Sequence, residues 1–217
     1  MSGIMRSAES VFDEWAMDEH ADGMEKSHWR NVRKAFEEIP ESDGAYLEIG
    51  IGNGYGIHHM AMHQYASGTC FGIDMSTNMI RKARERLRGV HNIHLAAGDF
   101  MVWEPPRGVF FTCIFSMEVF YYFADIEAGI HRAASLLAPG GLLMVLVNYY
   151  RENRESHSWP RDLKTPMTLW SESDYLNAFK RAGLVRLVQQ RFRENEDGEG
   201  TLCTQGYQHD AITDGSL

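Results

Sequence analysis

Positive charge is what this chain of 217 residues is short of: 21 lysines and arginines stand against 30 aspartates and glutamates, a formal charge of −9 at neutral pH. Such a field repels polyanions unless basic residues gather on one face, so nucleic acid is not an expected partner. The densest basic run, Arg81, Lys82, Arg84, Arg86 and Arg88, falls on an expected helix, where a solvated face accounts for it. Cysteine is scarce too, with three residues and no Cys-x-x-Cys spacing. Cys70, Cys113 and Cys203 therefore read as buried free thiols of a reducing, cytoplasmic setting, not as a disulfide framework. The strongest apolar run, Gly140 to Val147, is too short to span a bilayer, and no apolar stretch follows the first basic residue. Neither a membrane nor export is expected. Also missing are Gly-x-Ser-x-Gly, His-Glu-x-x-His and the phosphate-binding Gly-x-x-x-x-Gly-Lys, which sets aside the common hydrolase, zinc protease and nucleotide phosphatase chemistries.

What is present is an alternation. From Ala45 to Asn148 strand-like runs take turns with segments of helical period, the sign of an α/β protein with a parallel sheet. Ahead of it, Trp29, Val32, Phe36 and Ile39 recur at helical spacing until Pro40, so an N-terminal helical segment is expected. Strands are expected at Ala45–Ile49, Thr69–Ile73, Asn92–Ala96, Phe110–Phe115 and Leu142–Val147. Helices are expected from the glycine loop to about Tyr65, from the Ser76 cap to near Gly89, and from Ile126 to Leu137, where Pro139-Gly140-Gly141 closes the last. Tyr149 to Leu169 has no clear period and reads as a long surface segment of the kind that holds substrates. Ser171 or Ser173 caps a final helix through Ala182. Leu184–Phe192 and Thr201–Gln208, parted by the turn-rich Glu194 to Gly200, suggest an antiparallel pair. The length fits one domain, 1–217, with residues 1–41 as a helical cap and 45–208 as the core.

The chemistry is concentrated where strands end. Leu47-Glu48-Ile49-Gly50-Ile51-Gly52-Asn53-Gly54-Tyr55-Gly56 is a strand running into a loop with glycine at every second position. Glycine permits a sharp turn and close approach of a ligand at the mouth of a sheet. The dinucleotide pattern G-x-G-x-x-G needs a glycine where Tyr55 stands, and so fails. Glu48 beside the loop would repel a pyrophosphate but suits a ligand carrying an ammonium and a sulfonium. Asp74 ends the second strand, where a carboxylate can accept from both hydroxyls of a ribose, each bond worth about 1.5–3 kcal/mol. Asp99 ends the third, in Gly98-Asp99-Phe100, placed to accept from an adenine amino group while Phe100 or Met75 covers the ring.

In this ordered set the chain resembles the class I S-adenosylmethionine-dependent methyltransferases, over about Ala45 to Gln208. The residues that carry the resemblance are LEIGIGNGYG at 47–56, GIDMSTNMIRKARERL at 72–87, AAGDF at 96–100 and LLAPGGLLMVLV at 136–147. The resemblance implies a Rossmann-like, doubly wound sheet of seven mostly parallel strands with an antiparallel last strand, S-adenosyl-L-methionine as cofactor, and methyl transfer. Position by position it implies that Glu48, Gly50 and Gly52 meet the methionine end, with Ile51 and Asn53 in the same loop also touching the cofactor, that Asp74 meets the ribose, and that Asp99 and Phe100 meet the adenine, with Gly98 and Met75 beside them. Ser116 and Met117, after the fourth strand, resemble the wall between cofactor and acceptor.

The acceptor side carries less pattern. Glu118, Tyr121, Tyr122, Tyr149 and Tyr150 follow the fourth and fifth strands and are candidates for an aromatic acceptor pocket. No general base is fixed by the sequence; His28, Glu118 and Tyr149 are the candidates, His28 because N-terminal helices of this build fold over the cofactor. His59 and His63 share a helix face without a third ligand, so no metal is expected. A small-molecule acceptor is the leading reading. A non-catalytic S-adenosylmethionine-binding module, a methyltransferase acting on protein or RNA, and a nicotinamide-dependent oxidoreductase are the alternatives.

Overall fold

The computed structural model describes residues 5–17, 20–193 and 198–210, with residues 20–22 described by their backbone alone. Seven strands form one sheet: β1 (Ala45–Ile49), β2 (Thr69–Asp74), β3 (Ile93–Ala97), β4 (Phe111–Met117), β5 (Leu137–Val147), β6 (Val185–Phe192) and β7 (Thr201–Tyr207). Their order is β3-β2-β1-β4-β5-β7-β6. Neighbours from β3 to β5 pair in parallel, whereas β7 runs antiparallel to both β5 and β6. The order reverses between β1 and β4, and a crevice opens outside the carboxyl ends of strands at such a point.

Apolar runs in β1, β2, β4 and β5 are buried almost without interruption, as strands covered on both faces must be. One face is covered by α2 (His20–Glu37), α3 (Tyr55–Met62) and α4 (Thr77–Arg86), which contribute Phe36, Ile57, Met60 and Ile80 to a core. The other is covered by α5 (Ile126–Ser135) and α7 (Glu172–Arg181), through Ile126, Ile130, Ala133 and Phe179. Two short helices, α1 (Ala8–Trp15) and α6 (Trp159–Asp162), lie over the carboxyl ends of the strands. Side chains start the helices: the Ser76 hydroxyl accepts from the Met79 N–H at 3.0 Å, Asp125 from the Ala128 N–H at 2.9 Å, and Ser171 and Asp174 form a reciprocal capping box. All three cysteines are free and buried. Among the described residues no helix is long and apolar enough to cross a membrane.

Several boundaries differ from expectation, among them that of β4, which runs on to Met117 and so takes in Ser116 and Met117. The helix after the glycine loop stops at Met62. The helix from Ile126 ends at Ser135, and β5 begins at Leu137 and runs through Pro139-Gly140-Gly141. There the strand is irregular: Leu137 pairs with Phe111, the register shifts before Cys113, and a side chain at Gly141 would meet the Phe111 carbonyl at 2.7 Å. The same glycines that stop helices also permit a bulge, and pairing with β4 decided between the two. Of the turn from Glu194 to Gly200, residues 194–197 lie outside the described residues, as do 1–4 and 18–19 of the cap and 211–217 of the proposed single domain.

Removing the Ser171 hydroxyl (Ser171→Ala) should lower stability by about 1 kcal/mol in urea denaturation, the usual cost of an N-cap.

Candidate functional site

Over the carboxyl ends of β1, β2 and β4 lies a cavity of about 620 Å³, well within the range of small-molecule sites. Its floor begins at Glu48, a nearly fully buried residue of β1. The Tyr46 hydroxyl, two residues back on the same face, donates to Glu48 Oε2 at 3.0 Å. On its other side the carboxylate leans on α3 at Gly56, where an added Cβ would come within 2.5 Å of Oε1. The last glycine of the alternating run thus makes room for a protein carboxylate. Burial pushes the Glu48 carboxyl up to about 8, the neighbouring Asp74 charge adds to the rise, and the Tyr46 bond opposes it.

Gly50 turns the chain out of β1 with φ of 74°, and its N–H and that of Ile51 both donate to the Ile73 carbonyl of β2, at 2.7 and 3.3 Å. Val119 lies directly over Gly50, 2.2 Å from where a side chain would begin. Gly52, with φ of 53°, has open space where a Cβ would stand, and so has Gly98. Of the alternating glycines, Gly50 and Gly52 line the cavity, and Gly52 is the one with open space where its side chain would begin. Its N–H donates to Asp74 Oδ2 at 2.9 Å, while the Ser76 N–H donates to Oδ1 at 2.9 Å. Each Asp74 oxygen keeps a lone pair for a further donor. Burial raises the Asp74 carboxyl to about 6 against the pull of these two bonds. Among the described residues no cation pairs with Glu48 or Asp74.

Along the wall beyond Asp74 stand Met75, about two-fifths exposed at 38%, and then Gly98, Asp99 and Phe100. Asp99 Oδ1 accepts from the Met101 N–H at 2.8 Å, which bends the chain and turns the Phe100 ring inward. Behind Phe100, Arg132 of α5 donates to its carbonyl at 2.7 Å and places the guanidinium 5.5 Å from the ring centroid. Asn53 is buried and donates to Glu25 of α2 at 3.1 Å, and Glu25 in turn pairs with Arg86 of α4.

The opposite wall is aromatic, and Glu118 stands on it. Glu118, one step past β4, has φ of 61°, a region few non-glycine residues adopt. Its N–H donates to the Leu146 carbonyl at 2.9 Å, its Oε2 accepts from the Tyr121 hydroxyl at 2.9 Å, and its Oε1 accepts from the Asn148 N–H. Burial raises this carboxyl to about 7. His28, partly buried on α2, faces the same cavity, and burial lowers its imidazole to about 4.

The structure brings every expected cofactor contact into the cavity wall except Ser116. The Ser116 hydroxyl is fully buried and donates to the Ile49 carbonyl at 3.0 Å, tying β4 to β1 beneath the cavity. Of the three base candidates, His28 and Glu118 are on the wall and Tyr149 is not. Tyr149 packs behind it, 5.4 Å from the Tyr121 ring and 6.3 Å from Trp159. Tyr150 turns away and donates to the carbonyls of Glu199 and Gly200. Trp29 packs on Tyr55 and His59 instead of the cavity. His59 and His63 have ring centroids 4.4 Å apart, and no group of three potential metal ligands forms among the described residues. The sequence reading missed Phe12 and Trp15 of α1, Met24 of α2 and Trp159 of α6, all on the wall. The amphipathic run Ala8–Trp15 behind Ser7 was the available signal for α1. Asp13 docks that helix on α4, accepting from the Ser76 hydroxyl at 2.5 Å and the Asn78 N–H at 3.4 Å.

The raised carboxyl of Glu48 has a consequence for stability. Between the ordinary value of 4.5 and the folded value of about 8, the folded state keeps a proton that the unfolded chain has released. Stability of the ligand-free protein therefore falls as pH rises through that window. Urea denaturation from pH 5 to 8 should show the wild type losing more stability than Glu48→Gln; parallel curves would mean an ordinary Glu48.

Comparison with known proteins agrees with this architecture. A family model described as a methyltransferase domain matches residues 17–190. Among curated proteins, a trans-aconitate 2-methyltransferase of Rhodopseudomonas palustris is 31% identical over 122 residues, 56% of this chain and 45% of that protein. One from Sinorhizobium fredii is 27% identical over the same shares. The chain thus spans about half the length of the curated relatives it matches. Among solved structures, a Haloferax volcanii methyltransferase in complex with the Trm112 methyltransferase activator is 30% identical, with a TM-score of 0.81 over 94% of this chain and 99% of that one. A Haemonchus contortus phosphoethanolamine N-methyltransferase in complex with S-adenosyl-L-methionine shares the fold at 14% identity, with a TM-score of 0.72 over 92% and 60% of the two chains. Sheet order, glycine loop and family match together make this chain a member of the class I S-adenosylmethionine-dependent methyltransferases.

Proposed function

We propose that residues 45–208 form the catalytic core and 1–41 the cap of a single methyltransferase domain that methylates a small-molecule acceptor. The observation that carries this reading is a pair of buried carboxylates, Glu48 and Asp74, without a protein cation, beside the bare backbone of Gly52 in a closed-over cavity. S-adenosylmethionine fits that chemistry: its ammonium complements Glu48, its ribose hydroxyls can donate to the spare lone pairs of Asp74, and its adenine has Asp99 for its amino group and Phe100 and Met75 for its faces. When bound, it supplies a methyl group already activated on a sulfonium. The chain's own residues then have to hold the acceptor in line and keep water out, which positioning and an apolar wall accomplish. Met117 and Val119 lie between the two ends of the cavity, where such alignment is set. The wall's acidity and the chain's net charge of −9 support a small acceptor over RNA. Because the Haloferax methyltransferase was solved with an activator, work alongside a protein partner is a second reading, testable by co-elution with a Trm112 protein.

Calorimetry with S-adenosylhomocysteine should give saturable, micromolar binding, and NADH no heat. Asp74→Asn, which removes one acceptor oxygen and the charge, should weaken that binding by roughly tenfold or more with the circular dichroism spectrum unchanged. Wild-type affinity in this variant would remove Asp74 from the ribose site.

A further inference from the structure

Resting on the methyltransferase reading above, we propose that the acceptor is a small arylalkylamine bound as its ammonium ion, with Glu118 as the group that holds the nitrogen and takes its proton. The wall contains six carboxylates, Glu48, Asp74, Asp99, Glu118, Asp125 and Asp162, and no lysine or arginine among the described residues. Five of them have other work. Glu48 and Asp74 serve the cofactor end, Asp99 bonds to Met101, Asp125 caps α5 and Asp162 pairs with Arg161. Glu118 has one donor on each oxygen and a lone pair left on each.

Its surroundings suit a cation. Phe12, Trp15, Tyr122 and Trp159 put aromatic surface around the same space. Phe12 meets Trp15 and Tyr122 edge-on at 5.5 and 5.3 Å, which stiffens the enclosure. Aromatic faces attract ammonium ions, more strongly where water is excluded. A carboxylate acceptor would be desolvated here beside the Glu118 carboxylate with no lysine or arginine on the wall among the described residues, and a neutral hydroxyl would draw little from the charge of Glu118.

An ammonium nitrogen has no free electron pair, so one proton must leave before transfer. Burial raises the Glu118 carboxyl to about 7, which makes it a better proton acceptor than an ordinary carboxylate. The proton passes from nitrogen to a Glu118 oxygen. The freed lone pair forms the N–C bond to the methyl group while the C–S bond breaks, its electron pair staying on sulfur as a neutral thioether. Glu118 returns the proton to solvent once the product leaves.

The test is binding, not turnover. Protein is first titrated with S-adenosylhomocysteine, and a failure there overturns the cofactor reading together with this one. The loaded protein is then titrated by calorimetry with three matched probes, 2-phenylethylamine, 2-phenylethanol and 3-phenylpropanoate, and with trans-aconitate. The amine is expected to bind at least about tenfold tighter than the other three. Glu118→Gln is expected to weaken the amine by about thirtyfold, to leave the alcohol within about twofold, and to keep S-adenosylhomocysteine affinity. An amine bound no tighter than the alcohol or either carboxylate overturns the proposal, as does a Glu118→Gln variant that keeps the preference.

Discussion

Two carboxylates share a buried corner of this protein, Glu48 at the end of β1 and Asp74 at the end of β2, and the remaining architecture of the cavity is arranged around that unbalanced negative charge. Burying such groups without a cation is costly, and both carboxyls respond by titrating above their ordinary values. The protein eases the cost only in part, with the Tyr46 hydroxyl on Glu48 and the N–H groups of Gly52 and Ser76 on Asp74. A ligand that brings positive charge into this corner binds the folded state alone and recovers the rest. Binding of such a ligand and native stability are thereby linked through the same two side chains.

The glycine loop divides its labour accordingly. Gly50 lets Val119 close over the strand end, Gly54 opens α3 in a left-handed turn, Gly56 gives the Glu48 carboxylate its space, and Gly52 faces the cavity. One sequence pattern thus serves packing, helix entry, electrostatics and binding, each through the missing side chain.

The other end of the cavity is assembled from segments with little pattern of their own. The N-terminal stretch and the 149–169 segment meet directly, the Arg6 N–H donating to the Lys164 carbonyl at 2.7 Å, and between them they deliver Phe12, Trp15 and Trp159. A buried chain of hydrogen bonds ties the cap to Glu118. Asn31 of α2 donates to the Thr201 hydroxyl, Thr201 to the Asn148 side chain, and the Asn148 backbone to Glu118. Docking of α2 and the position of the acceptor-side carboxylate are therefore coupled through β7 and the end of β5.

By itself the sequence determined the α/β class, the place of each strand, the glycine loop, and the three acidic strand ends at Glu48, Asp74 and Asp99. These features are local, because strand and helix periods, caps and breakers act over a few residues, and a parallel sheet brings successive strand ends to one edge. Tertiary structure alone decided that Pro139-Gly140-Gly141 belongs to a bulged strand, that Ser116 and Tyr149 stay behind the wall, that Gly56 shelters Glu48, and that Phe12 and Trp159 share one enclosure. Those outcomes depend on which surfaces far apart in the chain come to pack together, and no short-range pattern of residue types records that choice.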